Sequence, residues 1–271
     1  MANNNFRRAS NMAGKTGAAL FSLALSGLLL IQCATSQDIT VRRQVTGLET
    51  NCYLIFDEVS KEAALIDVGG PIDSLLAIIN QNQLTVKYFF FTHGHTDHTL
   101  GLPAIRNDFP QAKVCMHRQD YENTFIWAAW ARDFFGEETL AEWAENPEFR
   151  KIMEFDPHSF GEPDIFIEDN QVFDLGGSDI RAIYTPGHSV GSVCYHTGNK
   201  LFSGDLLFRR KVGRTDMLGG SSEDIIRSVR KIYNTLADST IVYPGHYEYT
   251  DIGSEKEQNE EVPADTVTSE N

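Results

Sequence analysis

The sequence predicts an α/β fold in which β-sheets are covered by helices. Three observations lead there. Short apolar runs of strand character alternate with segments of helical period, hairpin-like turns join some of the runs, and no segment repeats another.

The strand and helix pattern begins after residue 38. Asn51 to Phe56 and Ala63 to Asp67 read as strands joined by a charged turn. Gly69-Gly70-Pro71 interrupts the chain. Ile72, Leu75, Leu76 and Ile79 then recur at helical spacing. Val86 to Phe91 is a continuous apolar run, as expected of a strand buried on both faces. A helix is predicted over Leu100 to Asp108 and a short strand over Lys113 to Met116.

Residues 118–156 differ in texture, being rich in Trp, Phe, Ala and Glu. Helical spacing at Phe125, Ala128, Ala129 and Arg132 predicts an insertion of two or three helices. Trp127, Trp130 and Trp143 all fall here, either as a satellite hydrophobic cluster or as a lid over a substrate cleft. Strands return at Gln171–Leu175, Asp179–Tyr184, Ser192–His196 and Lys200–Phe202. Ser222 to Leu236 is a helix by its apolar period, with Ser221 or Ser222 as cap and Asp224 in the first turn. Thr240 to Tyr243 is the last strand.

The two ends are not core. Arg7, Arg8 and Lys15 precede an uncharged apolar stretch, Ala18 to Ile31, in the layout of a secretory signal over residues 1–32. A retained anchor is the alternative, although the stretch is short for a spanning helix. Leu30-Ile-Gln-Cys33 resembles a bacterial lipoprotein signal. That resemblance implies export, lipidation of Cys33 and a membrane contact through the lipid. At the other end, the chain from residue 257 to 271 is acidic and aperiodic, and reads as a disordered tail.

The 271 residues carry a net charge of −15 with 41% hydrophobic content. A surface this acidic repels phosphate backbones, which excludes nucleic acid as a partner and leaves a small molecule. Cys52, Cys115 and Cys194 lack Cys-x-x-Cys spacing, so no thiolate metal site is suggested. They are free thiols buried on strands, or two of them form a disulfide.

The chemistry concentrates after Phe91, in Thr92-His93-Gly-His95-Thr-Asp97-His98. In an extended segment, side chains at i and i+2 point the same way, so His93 and His95 can grip one cation. Asp97 and His98 diverge and can serve a second. Imidazole and carboxylate are the ligands of Zn²⁺ sites that keep a position open for water, and they also suit iron and manganese.

This His-x-His-x-Asp-His run resembles the signature of the metallo-β-lactamase superfamily. Thr185-Pro-Gly-His188, Phe202-Ser-Gly-Asp205 and Tyr243-Pro-Gly-His246 resemble its later ligand loops, in order. The resemblance covers residues 39–256 and implies a four-layer αββα sandwich with 118–156 as an insertion. It also implies two divalent metals, most simply zinc. His93, His95 and His188 would hold one, Asp97, His98 and His246 the other, and Asp205 would bridge them. A hydroxide shared by the metals would attack a carbonyl, with Asp97 orienting it. His117, His158 and His196 match no ligand position.

Gly213-Arg214-Thr-Asp216 resembles a segment of the small glyoxalase II-like thioesterases, which hydrolyse S-lactoylglutathione and related thioesters. There Arg214 would meet a substrate carboxylate; alternatively it pairs with Asp216. A β-lactamase, a lactonase and an iron-dependent persulfide dioxygenase of the same fold are the alternatives. A lipid-anchored binding protein without turnover is the non-enzyme alternative.

Overall fold

The structure, a computed structural model, describes residues 38–263. The expected signal segment, Cys33 and the chain beyond residue 263 lie outside the described residues.

The first sheet contains β1 (Thr40–Thr46), β2 (Thr50–Phe56), β3 (Glu62–Ile66), β4 (Thr85–Phe90), β5 (Lys113–Met116) and β6 (Ile165–Phe166), in that spatial order. β1, β2 and β3 are joined by tight turns and pair antiparallel. From β3 to β6 the pairing is parallel, so each step needs a crossover. α1 (Asp73–Asn82) makes the first. α2 (Thr96–Thr99), α3 (Leu102–Ile105) and a 3-10 turn at Arg106–Asp108 make the second. The single helix expected over 100–108 is therefore broken: Ile105 and Arg106 start a tighter turn that delivers the chain to β5.

The third crossover is the insertion. It holds four helices, α4 (Arg118–Thr124), α5 (Trp127–Phe135), α6 (Glu137–Trp143) and α7 (Pro147–Met153), where two or three were expected. Gly136, at φ +79°, separates α5 from α6. Pro147 at the first position of α7, with the Asn146 side chain accepting from the Glu148 N–H, starts the fourth.

The second sheet is built from β7 (Val172–Leu175), β8 (Ser178–Tyr184), β9 (Val193–Thr197) and β10 (Lys200–Gly204). After a small hairpin of β11 (Leu207–Phe208) and β12 (Lys211–Val212) comes α8 (Ser222–Thr235), capped by Ser221. β13 (Ile241–Pro244), β14 (Thr250–Asp251) and α9 (Ile252–Gln258) complete it. The spatial order is β14-β13-β10-β9-β8-β7.

Alternation along β2 explains the layering. Tyr53 and Ile55 enter one apolar cluster with Phe173, Ala182, Tyr195 and Phe202 of the second sheet. Leu54 and Phe56 point the other way, into a cluster with Leu75 and Ile79 of α1 and Leu102 of α3. On the far side, Leu201 and Val242 of the second sheet pack on Ile225, Val229 and Ile232 of α8. Two sheets face to face, each with helices outside, give the expected αββα sandwich.

Cys52, Cys115 and Cys194 are free and buried, one on each of β2, β5 and β9. The expected tail, residues 257–271, is described as far as residue 263, and Asn259 and Val262 within it are buried. Glu255 is buried, accepting from the Arg210 N–H and Thr250 Oγ1. The Asn259 side chain accepts from the N–H groups of Glu261 and Val262, which keeps Val262 in the core. Acidic composition hid these satisfied, buried partners. No helix among the described residues is long and apolar enough to cross a membrane.

Candidate metal centre

Every sequence-predicted ligand sits at or just beyond the end of a strand, or at the start of a helix, along one rim of the sandwich. His93 follows β4, and His95 is the extended residue that opens α2, so Asp97 and His98 lie in its single turn. His188 lies between β8 and β9, Asp205 directly follows β10, and His246 follows β13.

The ligand atoms fall into interlocking groups. His93, His95 and His188 have donor atoms within 4.8 Å of one another, as do Asp97, His98 and His246. Asp205 lies between these groups. Its Oδ2 is 3.5 Å from His188 Nε2 and 3.5 Å from His246 Nε2, and its Oδ1 is 3.4 Å from His98 Nε2. His98 Nε2 and His246 Nε2 are 3.3 Å apart, and Asp97 Oδ2 is 3.4 Å from His246 Nε2. Ligands ~2.0–2.1 Å from a tetrahedral cation stand ~3.3–3.4 Å apart. These spacings fit that edge length. His93 Nε2 and Asp205 Oδ1 are buried without a hydrogen-bond partner, which a metal ion would satisfy.

The far side of four of the five rings is anchored. His98 Nδ1 is 2.9 Å from Asp67 Oδ2. Asp67 also accepts from the Thr92 N–H and from Thr92 Oγ1, both at 2.8 Å. With its hydroxyl hydrogen committed to Asp67, Thr92 accepts from His93 Nδ1 at 3.1 Å. His188 Nδ1 donates to the Arg214 carbonyl at 2.8 Å, and His246 Nδ1 to the Glu49 carbonyl at 3.1 Å. Each of these bonds fixes a tautomer and leaves Nε2 free to face the centre.

Asp120, at the start of α4, ties two ligand loops together. It is buried and accepts from the Gly94 N–H, from Ser189 Oγ and from the Gly191 N–H, at 2.8, 2.6 and 2.6 Å. Neither Asp67 nor Asp120 stood out in the sequence. Lone aspartates carry no spacing signal, although an aspartate that closes an apolar strand just before Gly69-Gly70 was a usable clue.

The electrostatics divide the centre. Burial lowers the pKa of His93, with nearby imidazoles adding to the effect. Burial likewise brings His95 and His188 down to about 4. These three present neutral lone pairs. Burial also acts against protonation of His98, but Asp205, Asp97 and Asp67 outweigh it and raise that residue to about 10. Asp205 and Asp97 outweigh burial at His246 too. Burial works against ionised Asp97, yet His98 and His246 hold it far below the usual carboxylate range. The carboxylate field that retains protons here attracts a divalent cation equally well.

A cavity of about 600 Å³ opens over the centre. His95, Asp97, His188, Asp205 and His246 form its floor. The insertion contributes Trp127, Phe135, Trp143, Phe149 and Ile152 to its wall. Trp143 belongs both to an aromatic cluster, 4.8 Å from Phe135 and 5.4 Å from Phe149, and to the cleft, whereas Trp127 lines the cleft and Trp130 stacks on Phe134. Arg214 lines the cavity, but its guanidinium bonds Asp216 through two hydrogen bonds of 2.6 and 2.7 Å. His117 stacks on Tyr184, and neither it nor His158 or His196 joins the metal groups.

Residues 45–246 match the family model of the metallo-β-lactamase superfamily. The chain is 32% identical over 217 residues to hydroxyacylglutathione hydrolase GloC of Haemophilus influenzae, covering 79% of this chain and 93% of that one. Among solved structures it resembles the BLEG-1 B3 metallo-β-lactamase, with 29% identity, a TM-score of 0.64 and coverage of 82% and 98%. It also resembles TTHA1623 in a di-iron-bound form, with 26% identity, a TM-score of 0.63 and coverage of 81% and 99%.

Proposed function

The chain belongs to the metallo-β-lactamase superfamily of metal-dependent hydrolases, and from that premise we propose that it hydrolyses thioesters at a dinuclear centre. His93, His95 and His188 would hold one cation, and Asp97, His98 and His246 would hold the other. The observation that carries the dinuclear reading is the position of Asp205 Oδ2, 3.5 Å from a histidine of each group.

When bound, two divalent cations acidify a water and polarise the scissile carbonyl. Zinc suits the donor set, and iron suits it as well. Asp97 stays ionised and accepts a hydrogen bond from the attacking water. Thr50 Oγ1 donates to Asp97 Oδ2 at 3.3 Å and fixes the carboxylate plane. Four of the five histidines are kept from rotating away, because Asp67, Thr92 and two backbone carbonyls hold the other nitrogens of His98, His93, His188 and His246. The aromatic wall of the insertion limits bulk water above the centre.

Thioester chemistry rests on the hydroxyacylglutathione hydrolase relative and on the Gly213-Arg214-Thr-Asp216 segment. The test is release of free thiol from S-lactoylglutathione by the metal-loaded protein, with Asp205→Ala as the blank. Turnover that disappears in the blank supports the reading. No turnover above the blank removes S-lactoylglutathione as the substrate. β-Lactams are the next substrates in that event, given the 29% identity to a solved B3 enzyme. Export as a lipoprotein is proposed on the N-terminal sequence alone, and loss of lipid labelling in Cys33→Ser tests it.

A further inference from the structure

We infer that the helical insertion selects substrates bearing a bulky apolar group beside the scissile bond, in preference to the polar lactoylglutathione. The inference rests on the thioesterase reading and names the substrate class of that same centre.

The cavity has the volume of a site for a drug-sized ligand. Its wall is supplied by three helices of one insertion: Trp127 and Phe135 from α5, Trp143 from α6, Phe149 and Ile152 from α7. A cluster that served packing alone would close over its own side chains. Here Trp127, Phe135, Trp143 and Phe149 remain half-buried, and they face the space that contains Asp97, Asp205 and His246. Aromatic faces left open beside a reaction centre gain contact only when a ligand covers them.

The charge inventory agrees. Glutathione carries two carboxylates. Apart from histidines, the cations lining the cavity are Lys211 and Arg214, and the Arg214 fork is already occupied by Asp216. The chain as a whole is at −15. One lysine, its ammonium 5.5 Å from the centre of the Tyr247 ring, is a poor match for two carboxylates, whereas five apolar side chains suit a hydrocarbon or aromatic group. Each buried methylene contributes roughly fourfold in binding, so even partial burial of a chain gives a readable preference.

The apolar group could stand on the acyl or on the thiol side, and two series separate these. In one, S-acylglutathiones run from acetyl to octanoyl. In the other, S-alkyl thioacetates run from methyl to octyl. The metal-loaded full chain is expected to show kcat/KM at least tenfold higher for the long member than for the short one in at least one series. Trp143→Ala should reduce that ratio at least threefold, and Trp143→Phe should retain it. The conservative variant separates loss of contact from collapse of the insertion. Turnover of short and long members within threefold of each other, in both series, overturns the inference and leaves the thioesterase reading in place.

Absence of hydrolysis in both series overturns the thioesterase reading instead. Binding then decides the inference. S-octylglutathione, which cannot be hydrolysed, should bind at least tenfold more tightly than S-methylglutathione by calorimetry. Equal affinity overturns it.

Discussion

Asp67 Oδ2 and His98 Nδ1 meet at 2.9 Å in the interior, with both side chains at 2% exposure or less. Asp67 adopts φ +52°, a conformation that costs a non-glycine residue about 1–3 kcal/mol. That backbone turns the carboxylate toward three donors at once, the Thr92 N–H, Thr92 Oγ1 and His98. Asp67→Ala is expected to weaken metal affinity about 10–100-fold, as losses of such partners do. Chelator competition measures this. Unchanged affinity would show that packing alone orients His98.

Gly245 brings the backbone against the centre. A Cβ there would stand 2.2 Å from Asp205 Oδ1 and 2.8 Å from His98 Cε1. Gly245→Ala therefore displaces the shared carboxylate. The expected result is fewer than two metal ions per chain by elemental analysis, with the circular dichroism spectrum preserved. Two tightly held ions in the variant would contradict the assignment of Asp205 as the bridge.

Removal of Asp120 leaves the Gly94 and Gly191 N–H groups and the Ser189 hydroxyl without their acceptor. Asp120→Ala is expected to destabilise the fold by about 2–4 kcal/mol and to lower turnover with it. Thermal melts of metal-free and metal-loaded protein read the two effects separately.

Arg214 offers its carbonyl to His188 and its guanidinium to Asp216. Truncation of the side chain retains the first bond and loses the second, and the ion pair is half-exposed and worth little. Arg214→Ala should raise KM less than about threefold and leave metal content unchanged. A rise of tenfold or more would reinstate the guanidinium as the substrate's carboxylate partner, since ΔΔG for such a contact is about 1.5–3 kcal/mol.

Acid sensitivity has an identifiable source at Asp164. Burial works against its charge, but the Val114 N–H, Lys113 and Arg106 outweigh that and lower its pKa. A carboxyl lowered on folding contributes stability above its unfolded pKa of about 3.9 and loses it as pH falls through the folded value. Asp164→Asn should therefore melt below wild type at pH 7, and the gap should close below about pH 4. A gap independent of pH would assign the effect to packing.

Much of the centre was legible because its chemistry is local. His93, His95, Asp97 and His98 lie within six residues, and the other three ligands each follow an apolar strand. The four layers were legible where strands are buried on both faces, as in Val86–Phe91. What escaped was held by distant partners. β1 carries Arg42 and Arg43 in its middle, and as an edge strand it lacks a continuous apolar face. Asp120 acts on residues 69 and 71 positions later, a relation no local pattern encodes. The burial of Glu255 escaped because a buried acid and a solvated acid are the same letter, and only the Arg210 N–H and Thr250 hydroxyl distinguish them.

The last ligand loop is fastened to one of the first strands. The Asn51 side chain donates to the carbonyls of Pro244 and Tyr247, its N–H to Gly245, and the Tyr53 hydroxyl to Pro244. A chain leaving the ribosome thus presents His93 to His98 well before His246 exists, and nothing can seat His246 until both sheets have met. Loading of the second cation would wait on completed synthesis, because a chain that ends before His246 lacks the second triad even where His93, His95 and His188 are in place.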